Sequence, residues 1–281
     1  VTGKRFFAKG IAYNPRNVNF DQVQVVINPD HAPSPPSDCE GGKPPVEELS
    51  YEADVAEDEL ESSWSEPLKA IANMGANTIR LYNIDPGKSH AKFMKAAARL
   101  GLYVIVPLTR KDWGYLPAIA SPDCYERNVT ENGYGNVGVN LLTSAKLIVK
   151  QFSVYPNTLM FAVANELTVN DKNGYSAFPC VKALTRDIHR YQASCAENMR
   201  RIPLIYADVD MGRPTRAQVG RYLSCEVESA DDAVDAYGLN VYSWCDVTYT
   251  NRISGKPSFK VSPYSDILKD FRHFDKPFLF T

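Results

Sequence analysis

Seven short apolar runs, separated by stretches with helical spacing, restrict this chain more than any other feature. They read "RFFAKGIAY" near the start, "NTIRLYNI" from Asn77, "YVIVPLT" from Tyr103, "LMFAVANEL" from Leu159, "IPLIYADVD" from Ile202, "YGLNVYSWC" from Tyr237 and "KPFLFT" at the end. Between them apolar residues return every three or four positions. Phe93, Ala97 and Leu100 do so after Ser89, as do Leu141, Ala145, Ile148 and Phe152. Val181, Leu184, Ile188, Tyr191 and Cys195 follow Pro179, and Tyr264, Ile267 and Phe271 repeat the rhythm. This spacing marks helices that each bury one stripe, with a proline suited to a first turn. Strands alternating with helices, several of them apolar on both faces, imply a parallel sheet covered by helices. No Gly-rich phosphate loop follows the first strand, which favours a (β/α)8 TIM barrel over a dinucleotide-binding fold. Seven of the eight strands can be counted.

At 281 residues and 44% hydrophobic content the chain can bury a large core, and the alternation reads as a single domain over residues 1–281. Residues 28–63 interrupt it with Pro29, Pro33, Pro35, Pro36, Pro44 and Pro45, then Gly41 and Gly42, then the acidic "EADVAEDELE". This reads as a long insertion after the first strand, a solvated loop rather than a binding element, although loops after barrel strands can wall an active site.

Thirty-one basic residues stand against thirty-three acidic ones, a net charge of -2, so no global field draws nucleic acid or an anionic membrane, and a neutral partner suits the chain better. No apolar stretch approaches the roughly 18 residues of a membrane helix. Six cysteines without CxxC spacing argue against a zinc site and leave disulfides open, with pairings that sequence alone does not give. Four histidines lack HExxH spacing and no GxSxG elbow is present, so metal and serine-nucleophile chemistry have little support. Asn128-Val129-Thr130 is a glycosylation sequon, meaningful in a secreted protein.

On a barrel, Glu166 falls at the carboxyl end of the fourth strand, where a side chain projects into the mouth. Alternation makes Ala162 and Ala164 its inward neighbours, small residues that leave space below the carboxylate. A catalytic acid and a partner for Arg80 are both open readings of Glu166. Alternation sends Asn165 to the opposite face, so both residues reach one ligand only if the strand bulges or ends there. Thr78, Arg80 and Tyr82 share a face, and an inward Arg80 asks for a nearby carboxylate. Gly238, Asn240, Tyr242 and Trp244 share another, a mixture that fits a sugar cleft, although satisfied core aromatics are the commoner role for Tyr82 and Tyr242.

"FAKGIAYNP", "GANTIRLYNIDPGKSH", "FAVANE" and "YGLNVYSWC" together resemble, in the same order, the family 72 glycoside hydrolases, β-1,3-glucanosyltransferases that remodel fungal-type cell walls. The resemblance implies a (β/α)8 barrel of the retaining clan with Glu166 as acid/base and Asn165 as the asparagine that binds sugar beside it. Tyr82 and Tyr242 match tyrosines of the donor cleft, and Asp208 and Arg213 match, more loosely, a pair that contacts the acceptor sugar. It implies double displacement, in which a second glutamate attacks the anomeric carbon and another glucan replaces water as acceptor. That nucleophile belongs at the end of strand seven, immediately after Thr281, so the catalytic domain is read as incomplete at its carboxyl end and residues 1–281 alone as inactive. The family's HxxCM cysteine is replaced by Phe93, while Cys225 and Cys245 match cysteines whose partners lie past Thr281.

No cofactor is implied. The expected partner is a β-1,3-glucan, with a monomeric protein at the cell surface, cell wall or outside the cell, anchored to lipid, where it is anchored, through a carboxyl terminus past residue 281. An inactive glucan-binding or structural extracellular protein, and a clan-related hydrolase of β-glucan or mannan, are the alternatives. Were Glu166 and its partner the wrong pair, Asp210, Glu226 and Glu228 are the next carboxylates to consider.

Overall fold

Each of the seven apolar runs supplies one strand. A computed structural model describes residues 6–14, 54–109, 124–125, 141–167, 175–225, 230–241 and 262–281. The strands are β1 (Gly10–Ala12), β2 (Thr78–Arg80), β3 (Tyr103–Pro107), β4 (Thr158–Asn165), β5 (Leu204–Val209), β6 (Ala236–Asn240) and β7 (Phe278–Phe280). They pair in parallel, each with the next in sequence, as successive β/α units require. The helices between them are α1 (Glu61–Asn73), α2 (Ala91–Arg99), α3 (Leu141–Phe152), α4 (Phe178–Ser194), α5 (Thr215–Ser224) and α6 (Pro263–Asp270).

Strand alternation divides the apolar side chains into two cores. Ile79, Val104, Val106, Phe161, Val163, Leu204, Tyr206, Tyr237 and Leu239 face outward into one cluster with the helix stripes, including Trp64, Leu68, Phe93, Ile148, Phe152, Leu184 and Ile188. Ile105, Ala162, Ile205 and Ala236 face inward, with Leu159, Met160 and Leu279 against them, as a separate and smaller core. These residues form an apolar floor that opens between β1 and β7 to a cavity of about 540 Å³, and the polar layer of the candidate site lies above it.

α1 and α5 escape the sequence pattern for physical reasons. In α1 Pro67 removes a backbone donor in mid-helix, and an acidic run precedes the apolar stripe. In α5 the sequence offers only Val219 and Leu223 as large buried apolar residues and places Gly220 between them. That glycine is a packing requirement. A Cβ there would lie 2.9 Å from Phe271 Cε1 and 3.2 Å from Tyr237 Cε1, and Phe271 is itself stacked on Phe278 with centroids 4.4 Å apart.

The last residues of the 28–63 segment correct the expectation of a solvated loop; residues 28–53 lie outside the described residues. Asp54 accepts from Ala56 N at 3.0 Å, Asp85 N at 2.7 Å and His90 Nε2 at 2.7 Å. Gln151 of α3 holds the same histidine from its other side, with Oε1 3.2 Å from Nδ1, and donates to Lys88 O at 2.6 Å. Asp58 accepts from Ser89 Oγ at 2.6 Å and from the amides of Lys92 at 2.7 Å and Phe93 at 3.4 Å. Those amides are the free donors of the first turn of α2, whose own N-cap His90 makes no side-chain cap. Asp58 thus caps a helix 33 positions away, reckoned from Asp58 to Ala91. The acidic run clamps the loop from Asn83 to His90, which continues from Tyr82 at the barrel mouth.

The cysteines divide as sequence could not specify: Cys124 and Cys180 form a disulfide, and Cys195 and Cys225 are free thiols. Cys39 and Cys245 lie outside the described residues.

Two expectations follow. Burial alone would push the Asp58 carboxyl up, but the Ser89 hydroxyl, the two amides and nearby His90 hold it below its ordinary value. Its contribution is then complete above about pH 4 and lost as pH falls through the folded value. Asp58→Ala should cost about 1 kcal/mol in chemical denaturation at pH 7, a difference that shrinks at pH 3; an equal loss at both values would rule out the ionised cap. Gly220→Ala should destabilise by about 1 kcal/mol net, overpacking outweighing the helical gain of alanine; a higher melting temperature would show that Phe271 yields freely.

Candidate active site

The site begins with an irregularity in β4. Its pairing with β5 runs Ala162↔Ile205, then Ala164↔Tyr206 and Asn165↔Ala207, so one residue is extra between Ala162 and Ala164. Ala162 packs in the inner core while Val163 and Ala164 both join the outer one. The expectation that Ala164 faces inward is therefore corrected: the bulge shifts the phase, and Asn165 takes the inward place.

Glu166 follows at the strand's end with φ 51°, a left-handed conformation that costs a non-glycine residue on the order of 1–3 kcal/mol. Its amide still donates to Ala207 O at 2.9 Å, and the next amide, Leu167 N, donates to the Tyr206 hydroxyl at 3.1 Å. The bulge and the left-handed turn together bring two consecutive side chains to one mouth. Asn240 Nδ2 donates to Glu166 Oε1 at 2.5 Å and to Asn165 Oδ1 at 3.1 Å.

Beneath them lies Arg80, 5% exposed. Its Nη1 donates to Asn240 Oδ1 at 2.8 Å, its Nη2 donates to Asn165 Oδ1, and its guanidinium carbon lies 4.9 Å from the centre of the Tyr82 ring. Among the described residues no carboxylate forms an ion pair with Arg80, which corrects the expectation of an acid partner and removes the reading of Glu166 as that partner. Two amide oxygens and an aromatic face take the place of the anion. Thr281 completes the layer, its Oγ1 donating to Asn240 Oδ1 at 2.7 Å.

The looser pair behaves differently. Asp208 is 1% exposed, and it shares a hydrogen bond with the Tyr206 phenol. It stands in the outer wall, behind the mouth, where it backs the tyrosine that holds Leu167. Burial pushes that phenol well above its ordinary range, with Asp208 and Tyr237 adding to the effect. Arg213 donates to Asp270 Oδ1 at 2.5 Å and to Asp266 O at 3.2 Å, so the structure ties it to α6 and not to Glu166. Arg216 bridges the same region, bonding both oxygens of Asp210 and Asp270 Oδ2. Tyr242 and Asn128 lie outside the described residues, as do Glu226 and Glu228.

A strained carboxylate beside an amide at the carboxyl end of β4, over an apolar inner core, is the arrangement of a barrel that handles a polar ligand at its mouth. A family model described as Glucanosyltransferase matches residues 1–281. The chain belongs to glycoside hydrolase family 72. Within family 72 it is 31% identical over 204 residues to the 1,3-beta-glucanosyltransferase gel1 of Aspergillus fumigatus, covering 73% of this chain and 39% of that protein. To the 1,3-beta-glucanosyltransferase GAS2 of Saccharomyces cerevisiae it is 29% identical over 280 residues, covering 100% and 41%. The solved structure of Saccharomyces cerevisiae Gas2p in complex with laminaripentaose superposes with a TM-score of 0.67 at 25% identity, covering 99% of this chain and 50% of that one. The chain thus spans less than half the length of these two curated relatives, and its seven described strands follow the TIM-barrel architecture of the Gas2p structure.

Asn240 was placed by the sequence on a cleft-like face with Gly238, Tyr242 and Trp244, but without a role of its own. Its signal was present: an amide on the inward face of a strand whose inward neighbours, Ala236 and Gly238, are small must bond to something buried.

Proposed function

We propose that this protein is a retaining transglycosidase of the cell wall that cleaves and rejoins β-1,3-glucan chains, with Glu166 as acid/base. The observation that carries the reading is the convergence of Asn165 and Glu166, adjacent in sequence, on Asn240 at the barrel mouth. The relatives named above as 1,3-beta-glucanosyltransferases and the laminaripentaose complex of Gas2p support the glucan as substrate.

In this reading a carboxylate attacks the anomeric carbon while Glu166 protonates the departing glycosidic oxygen. Glu166 then takes the proton from the hydroxyl of an incoming glucan, which resolves the glycosyl-enzyme. Asn165 binds a ring hydroxyl of the donor, Tyr82 and Tyr242 wall the donor cleft, and Arg80 acts from below through the asparagines. Arg213, half-exposed beside α6, contacts the acceptor sugar, and the buried Asp208 acts behind it through the wall. The nucleophile belongs at the carboxyl end of β7, beside Thr281, at the roughly 5 to 5.5 Å separation of retaining pairs.

Full-length protein incubated with laminari-oligosaccharides should yield longer as well as shorter products in a chromatographic profile. Shorter products alone would make it a hydrolase, and no products would leave the glucan-binding alternative. Glu166→Gln should lower turnover roughly 100- to 10,000-fold, and an unchanged rate would remove Glu166 from the mechanism.

A further inference from the structure

The hydrogen-bond polarity of the buried layer is fixed by one residue. Arginine can only donate, so the atoms that face Arg80 from Asn240 and Asn165 must be their carbonyl oxygens. Thr281 Oγ1 also meets Asn240 Oδ1, at 2.7 Å. With its oxygen so occupied, Asn240 turns its amino group to Glu166, and Nδ2 donates to Oε1 at 2.5 Å. Asn240 is 2% exposed, and a flip of its amide would set its amino group against the guanidinium and its oxygen against the carboxyl. Oε1 of Glu166 is therefore held as an acceptor.

We propose that Asn240 is a positioning residue that assigns the transferable proton of Glu166 to Oε2, with Arg80 setting the orientation of the Asn240 amide. The inference rests on Glu166 being the acid/base. The proton leaves Oε2 for the departing glycosidic oxygen as the glycosidic bond breaks, and Oε2 regains it from the acceptor hydroxyl as the new bond forms. Asn240 stays bonded to Oε1 throughout and transfers no proton. The same polarity leaves the Asn165 amino group outside the Arg80 network, so that Asn165 offers a donor to a sugar hydroxyl oxygen.

The test compares kcat/KM against pH for the full-length wild type, Asn240→Asp and Asn240→Ala on a laminari-oligosaccharide, with thermal melts to establish folding. Loss of the donor disfavours the ionised form of Glu166 in both variants, and the aspartate adds a like charge. The alkaline limb, which follows the essential acid, should move up by about one pH unit or more in Asn240→Asp and in the same direction in Asn240→Ala, with kcat/KM reduced at least tenfold near neutrality. Should Asn240→Asp fail to fold, Asn240→Ala decides alone. A reduced rate with an unmoved limb overturns the inference. Glu166→Ala with added azide separates it from the reading beneath: rescue by azide together with an unmoved Asn240 limb defeats the Asn240 role alone, whereas undiminished activity of Glu166→Ala defeats both.

Discussion

A guanidinium inside a parallel barrel, with no carboxylate beside it among the described residues, is the constraint around which the rest is arranged. Burying a charge is expensive unless every donor finds an acceptor. Arg80 offsets part of that cost with one hydrogen bond from each Nη to an asparagine oxygen and with the face of Tyr82. Because the cation cannot accept, it imposes one direction on the whole layer. Asn165, Asn240 and Thr281 all bond within that layer, and the carboxyl of Glu166 receives its donor as a result. Remove the charge and both amides lose the partner that tells oxygen from nitrogen.

The backbone makes an equally specific contribution. A regular β4 would direct Asn165 to the helices. The extra residue between Ala162 and Ala164 reverses that phase, and the left-handed turn at Glu166 lets the next residue join it. Neither device stabilises the sheet, and both bring polar side chains to one strand end. The surrounding wall holds them: Tyr206, backed by Asp208, fixes the amide after Glu166.

The parts legible in the sequence were those with a period. Among the described residues, all seven strands, four of the six helices and the two-sided burial of the sheet follow from spacing that one dimension records. α1 and α5 were hidden because Pro67 and Gly220 look like breaks, although each helix is sustained by tertiary packing. The acidic run looked solvated because charge reads as exposure; Asp54 and Asp58 instead meet donors on a loop some 30 residues away, a pairing that no local pattern encodes. At the site, Asn165 and Glu166 were legible as a dipeptide at a strand end, and Asn240 as one of a cleft-like face, whereas its bonds to Arg80, Asn165 and Glu166 reach other strands. Arg80 was legible as buried, but its amide partners come from β4 and β6, and only the curling of the sheet brings them together.

The disulfide has a topological consequence for this strand. Cys124 and Cys180 are 56 positions apart, and the chain between them carries α3, the bulged β4, Asn165 and Glu166. That part of the molecule is a covalent ring, and closing a loop of this size restricts the unfolded chain by about 4 kcal/mol in the entropic model. A backbone cut anywhere within the ring opens it without freeing either half. The strand that ends in Glu166 thus stays attached to the barrel even after its own chain has been severed.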